Sequence, residues 1–114
     1  MSKELTKKIC ALLCDKKAEK IKIVQIKGMS DIADYFVICS GKSAPQVKAI
    51  TEHLEESLEQ EQIFPKHKEG LSEGKWVCLD YQDVVVHIFH SDIREVYQLD
   101  KLWNNGNNVL DYKD

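Results

Sequence analysis

The segment from residue 76 to residue 103, WVCLDYQDVVVHIFHSDIREVYQLDKLW, constrains the fold more than any other part of the chain. Two short runs rich in β-branched and aromatic residues flank a polar stretch at 80–83, a pattern that predicts a β-hairpin. Apolar residues at helical spacing follow, and they predict a helix over about 92–103 with Ser91 as its N-cap. The second strand of the hairpin is therefore expected to lead directly into a helix.

The length of the hairpin loop decides which side chains share a face of the sheet. With an even-numbered loop around Tyr81-Gln82, Leu79 lies opposite Val84 and one face is wholly aliphatic. An odd-numbered loop would place Asp80 among aliphatic residues, where an unpaired carboxylate is strongly unfavourable. We therefore predict the even loop, with the aliphatic face packed on the helices and the mixed face exposed. The mixed face carries Trp76, Cys78, Asp80, Asp83, Val85, His87 and Phe89.

This mixed face suits either an active site or a docking surface. Asp80, Asp83 and His87 are candidates for acid–base chemistry, and two carboxylates near a strand end can also hold Mg²⁺. However, aspartate beside a turn usually serves local hydrogen bonds, and the loop at 40–43 is too short for a phosphate-binding loop. His87 and His90 point to opposite faces of a strand and cannot readily share a metal. We therefore predict that the chain has no catalytic residues. The alternative is a nucleotidyltransferase-like enzyme that uses Asp80 and Asp83 with Mg²⁺.

The docking interpretation rests on residue types that dominate protein interfaces, namely tryptophan, tyrosine and arginine. The segment concentrates these types at Trp76, Tyr81, Arg94, Tyr97 and Trp103. We interpret Trp76 as the anchor of a docking surface. Trp103 fits a core role equally well, because it continues the apolar helical spacing of its segment.

The rest of the chain predicts the elements of a single α/β (α+β) domain with a mixed β-sheet. Ser43 and Gln46 have the spacing of a capping box and predict the start of a helix. Apolar periodicity, β-branched runs and turn residues give the other elements. The predicted elements are a helix over 3–18, strands over 21–26 and 34–41, a helix from about 44 to 61, a loop with a short extended piece over 63–74, and a flexible tail over 104–114.

Composition limits the class of protein. The 114 residues predict one domain, and the net charge of −3 argues against a chain that grips nucleic acid through its backbone. A mildly acidic protein suits a basic protein partner instead. The four cysteines lack metal-ligand and disulfide spacing, so we expect structural thiols in a reducing cytoplasm. No apolar run suggests a transmembrane helix, and the first residues do not resemble a secretory signal.

Several motifs, taken together and in this order, resemble one known family. They are D-Y-F-V-I-C-S-G (34–41), S-x-x-Q-V-x-A-I (43–50), E-G (69–70), W-V-x-L-D-Y-x-D-V-V-V-H-I-F (76–89) and R-x-x-Y-x-L-x-x-L-W (94–103). The family is that of the ribosomal silencing factors (RsfS/Iojap), and the resemblance covers roughly residues 3–103. The remaining residues, 104–114, lie outside it.

The resemblance implies a domain related in fold to nucleotidyltransferases but without their catalytic signature, and it implies neither cofactor nor metal. It implies a non-enzyme that binds the large ribosomal subunit through ribosomal protein fourteen of that subunit and blocks joining of the small subunit. Relatives repress translation when nutrients are short, act in large-subunit assembly, and are often homodimers. The positions that match the family's partner-binding region are Trp76, Asp80, Tyr81, Asp83, His87, Arg94 and Tyr97.

The chain departs from the family pattern at Gln82, where the family usually has glycine. A tight two-residue hairpin turn needs positive φ there, which costs a non-glycine residue about 1 kcal/mol. We therefore expect the turn to have even parity, but the departure leaves its type open.

Overall fold

The computed structural model describes residues 2–29, 31, 33–98, 101, 104 and 106–112. Within these residues, six strands form one mixed sheet in the order β3-β4-β5-β2-β1-β6, in which only β2 and β5 pair in parallel. The elements in chain order are α1 (Ser2–Asp15), β1 (Glu19–Gln25), β2 (Tyr35–Gly41), α2 (Ala44–Glu59), β3 (His67–Glu69), β4 (Trp76–Asp80), β5 (Val84–His90), α3 (Ser91–Tyr97) and β6 (Val109–Asp111).

The helix α2 begins where the capping residues predict. The Oγ atom of Ser43 accepts a hydrogen bond from the backbone N–H of Gln46 at 3.2 Å. In a capping box the Gln46 side chain would accept from the N–H of Ser43. Here its Oε1 accepts instead from the N–H of the preceding residue, Lys42, at 2.7 Å. The buried residues of α2 are Val47, Ile50, Thr51, Leu54 and Leu58, as its apolar stripe predicts.

The two faces of the sheet have separate cores. On the face that we call the helix face, the aliphatic residues of the hairpin pack with α1 and α2. On the opposite face, which we call the aromatic face, Phe36, Val85 and Phe89 are buried, and Ile93 of α3 packs against them. The expectation that the helices share one face therefore holds for α1 and α2, whereas α3 lies on the other. No helix in the described part of the chain is long and apolar enough to cross a membrane.

The hairpin has the predicted parity but a different register. Leu79 pairs with Val86, two positions from the predicted Val84. The N–H of Tyr81 donates to the carbonyl of Val84 at 2.9 Å, which closes a two-residue loop. Because a shift of two residues preserves the faces, the aliphatic and mixed sets separate as predicted.

The C-terminal part differs from the prediction in three ways. The helix α3 ends at Tyr97 because the next residue, Gln98, has left-handed backbone with φ of 47°, and its N-cap is His90 rather than Ser91. The tail is not flexible throughout, since Val109–Asp111 form the strand β6, where Val109 pairs with Val24 of β1. Pairing with the otherwise open edge of β1 explains how so short a segment becomes a strand.

Candidate docking surface on the hairpin

The hairpin turn positions Asp80 and Asp83 through hydrogen bonds. Gln82 adopts the positive φ that the tight turn requires, at 78°. Its N–H donates to Oδ1 of Asp80 at 2.8 Å, so this carboxylate stabilises the turn. The backbone carbonyl of Asp83 accepts from the N–H groups of Asp34 and Tyr35, at 2.8 and 3.1 Å, and thereby fastens the turn to the start of β2. The side chain of Asp83 is exposed.

Trp76 is held against the aromatic face at the opposite end of β4. Its ring stacks on Phe89 with centroids 4.9 Å apart and an interplanar angle of 26°. Its indole Nε1–H donates to Nδ1 of His87 at 3.1 Å. Part of the Trp76 side chain is accessible to solvent. The accessible residue is therefore held by a stacked ring and by a hydrogen bond.

His87 is buried rather than exposed, at 7% of its accessible surface, which corrects the prediction that the whole mixed face is exposed to solvent. The hairpin pattern could not reveal this burial, because Phe36 and other apolar residues of β1 and β2 complete a core on this side. The Phe36 ring meets the imidazole edge to face, with centroids 4.8 Å apart. Burial lowers the pKa of His87 from 6.5 to about 4, so the ring is neutral at physiological pH.

Gly70 explains the motif E-G ahead of the hairpin. A Cβ atom at this position would lie 1.9 Å from the backbone carbonyl oxygen of Trp76, and Gly70 has φ of +81°. Only glycine allows this approach without displacing backbone. Gly70 therefore sets the position of the Trp76 backbone, a role that sequence reasoning missed although the motif marked the residue.

Tyr81 lies on the helix face, away from Trp76, and is 7% exposed. The two-residue turn continues the alternation of β4 and places Tyr81 with Leu79, so this candidate partner-binding residue points into the core. Burial, followed by the nearby Glu55 carboxylate, raises the pKa of its hydroxyl. Tyr81 is thus mainly part of the core between the hairpin and α2.

Arg94 is also buried, at 8% exposure. Its Nη1 donates to the backbone carbonyl of Glu19 at 3.2 Å and to Oγ of Ser40 at 3.3 Å. The register of β1 against β2 shifts just after Glu19. Arg94 therefore fastens α3 to an irregular part of the sheet. Its side chain is buried and has a structural role.

Burial makes the thiols of Cys10, Cys39 and Cys78 poor nucleophiles. Burial, with the nearby Cys14, raises the pKa of Cys10 to about 12. Burial, followed by the charges of Glu69 and Asp80, raises the pKa of Cys78 to about 11. Thiols with such pKa values are protonated at physiological pH and react slowly. Among the described residues, no group of three His, Cys, Asp or Glu side chains could hold a metal ion.

The accessible members of the predicted site lie along one side of the hairpin. Trp76 and Asp80 are four positions apart on the same strand face, a span of about 13 Å at roughly 3.3 Å per residue. We call the set formed by Trp76, Asp80 and Asp83 the Trp76 surface. This length suits contact with another macromolecule better than a compact catalytic pocket. The side chain of Tyr97 and all of Trp103 lie outside the described residues.

Comparison with known proteins identifies related sequences over most of the chain. A family model described as "Ribosomal silencing factor during starvation" matches residues 1–114. The ribosomal silencing factor RsfS of Bacillus subtilis (strain 168) is 43% identical over 107 residues, which cover 93% of this chain and 91% of that protein. The mouse "Mitochondrial assembly of ribosomal large subunit protein 1" is 32% identical over 98 residues, covering 83% of this chain and 43% of that longer protein.

The fold also has a solved relative. A crystal structure of a protein from Bacillus halodurans superposes with a TM-score of 0.84 at 38% sequence identity. The superposition covers 96% of this chain and 99% of that one. The mixed sheet and its helices are therefore shared over nearly the whole length of both proteins.

Proposed function

The chain belongs to the ribosomal silencing factor family, and from that membership we propose that it binds the large ribosomal subunit and represses translation. The proposed contact is ribosomal protein fourteen of the large subunit, which the family resemblance implies. Occupying that position would block the approach of the small subunit. The mechanism is steric and needs affinity and residence time rather than chemistry.

The rigid, partly exposed Trp76 indole carries the docking part of the proposal. A tryptophan that is already fixed by its stack on Phe89 and its hydrogen bond to His87 loses little freedom on binding. Aromatic anchors of this kind supply a large share of interface energy. Asp80 and Asp83 add negative charge beside the anchor, which suits a basic partner such as a ribosomal protein surface.

Accessibility divides the six candidate residues whose side chains the structure describes. We assign direct contact to the Trp76 surface, and we keep Tyr97 as a further contact on the strength of its motif position. Tyr81, His87 and Arg94 are buried, so in this proposal they shape and support the surface rather than touch the partner.

Five further properties belong to the same proposal. The protein acts without catalysis, in the cytoplasm, and without direct nucleic-acid specificity. It contributes to large-subunit assembly, a role that the name of its mouse relative gives to that protein. It forms a homodimer, as family resemblance implies. Silencing and assembly would use the same surface, because both require the large subunit.

Co-sedimentation with purified large subunits tests the proposal, followed by an assay of subunit joining. We expect the wild-type protein to sediment with large subunits and to reduce joining. Trp76→Ala should weaken binding by more than about 1 kcal/mol, the usual threshold of a hot spot. The matched control is Phe64→Ala, which removes an aromatic ring that is 60% exposed on the connection between α2 and β3.

Two outcomes would contradict the docking assignment. The first is normal large-subunit binding by Trp76→Ala, and the second is an equal loss in Trp76→Ala and Phe64→Ala. The circular dichroism spectrum and the urea midpoint of each variant establish that it is folded. Calorimetric titration with nucleotides and Mg²⁺ tests the non-catalytic proposal. Saturable micromolar binding that disappears in Asp83→Asn would support an enzyme instead.

A further inference from the structure

The buried imidazole of His87 has an arrangement that packing alone does not require. Its Nδ1 accepts from the indole N–H of Trp76 at 3.1 Å, so the ring proton resides on Nε2. That Nε2 is buried, and it has no hydrogen-bond partner within the described part of the chain. An unpaired polar atom in a core lowers stability, and an aliphatic side chain of similar size would avoid the penalty.

We propose that His87 is a positioning residue for docking, because its Nδ1 holds the Trp76 indole in the orientation that the large-subunit partner recognises. This inference rests on the proposed function of Trp76 and assigns to His87 a role beneath the contact rather than in it. His87 itself does not touch the partner.

The surroundings show how the orientation is fixed. Gly70 sets the position of the Trp76 backbone, because nothing larger fits against its carbonyl oxygen. The stack on Phe89 sets the plane of the indole ring. The stack alone permits a second orientation. A rotation of about 180° around χ2 returns the indole to the same plane but carries Nε1 to the other side. The hydrogen bond to His87 selects one of these two orientations.

Selection of one orientation before binding has a direct consequence for affinity. A partner that needs the indole in one orientation binds a mixture in proportion to the competent fraction. Fixing the ring before binding also avoids the entropic cost of ordering it when the partner binds. Loss of the acceptor should therefore weaken docking without removing any residue that contacts the partner.

Two substitutions of His87 separate the acceptor from the shape. In His87→Asn, Oδ1 is attached to Cγ as Nδ1 is in histidine, so the variant keeps an acceptor at the same place. In His87→Leu, a methyl group replaces the acceptor and the buried polar atoms disappear. We expect His87→Leu to bind large subunits at least fivefold more weakly while its urea midpoint is equal to or above that of the wild type. We expect His87→Asn to retain most of the affinity.

The indole N–H resonance of Trp76 reports the orientation directly. It is assigned in a ¹⁵N-labelled protein by its disappearance in Trp76→Phe. We expect a protected, slowly exchanging signal in the wild type and in His87→Asn, and a rapidly exchanging one in His87→Leu. A wild-type indole N–H that exchanges as fast as a free indole would overturn the proposal, and this measurement requires no His87 variant.

A double-mutant comparison distinguishes positioning from a general structural effect. If His87 acts through the indole N–H, His87→Leu should cause no further loss in a Trp76→Phe background. An equal loss in both backgrounds would overturn the positioning role. Normal binding by His87→Leu, while Trp76→Ala binds weakly, would overturn this inference alone. Normal binding by Trp76→Ala would overturn the proposed docking function itself.

Discussion

Protonation of His87 should lower the stability of this domain in mild acid. Burial lowers the pKa of His87 from 6.5 to about 4, so between these values the unfolded chain binds more protons than the folded one. Stability from this group is therefore complete above about pH 6.5 and decreases as the pH falls. At pH 5 the loss is about 2 kcal/mol, because each pKa unit corresponds to about 1.4 kcal/mol. A domain of this size has a total stability of only about 5–15 kcal/mol.

Urea unfolding at pH 7 and pH 5, at constant ionic strength, measures this contribution. We expect the stability difference between wild type and His87→Leu to shift by about 2 kcal/mol in favour of the variant at pH 5. The other charged groups of the aromatic face, including Glu69, Asp80 and Arg94, are present in both proteins and cancel in the comparison. His67→Leu, at an exposed position of β3, is the matched control. Parallel pH dependence in wild type and His87→Leu would refute the reasoning.

Three further substitutions test how the hairpin and its neighbours are built, each by its urea midpoint at pH 7. Gly70→Ala should lower stability by at least about 2 kcal/mol, because its Cβ would lie 1.9 Å from the Trp76 carbonyl oxygen. A urea midpoint equal to that of the wild type would show that the loop moves freely. Gln82→Gly should raise stability by about 0.5–1 kcal/mol, because glycine tolerates the φ of 78°, and a decrease would contradict the assigned turn. Ser43→Ala should lower stability by about 1 kcal/mol through loss of the N-cap bond to Gln46, and an unchanged midpoint would show that water replaces it.

The faces of the hairpin were predictable from sequence because their basis is local. Side chains alternate along a strand, so an even loop was enough to separate Val77 and Leu79 from Trp76 and Asp80. The register was not predictable in the same way, because it depends on the turn. The turn here requires positive φ at Gln82, and glutamine is not a residue type from which positive φ would be predicted.

The burial of His87 depended on residues distant in sequence. Phe36 lies on β2, and only the parallel pairing of β2 with β5 places it against the imidazole. The same applies to Arg94, whose hydrogen bonds reach Glu19 and Ser40. The motif placed the candidate surface on the hairpin, but which of its residues are accessible depends on the three-dimensional arrangement. The strand β6 was missed because three residues are too few to show a periodic pattern.

The pairing of β6 with β1 joins an early part of the chain to a late one, which matters while the protein is being made. A chain emerges from its own ribosome N-terminus first, at about 5–20 residues per second, so β1 waits several seconds for its second neighbour. During that time one edge of β1 offers unpaired N–H and carbonyl groups to any extended peptide nearby. Lys20 and Lys22 lie in β1, and charged lysines discourage such pairing. The sequence of β1 thus carries two lysines on the strand that is the last in the sheet to gain its second neighbour.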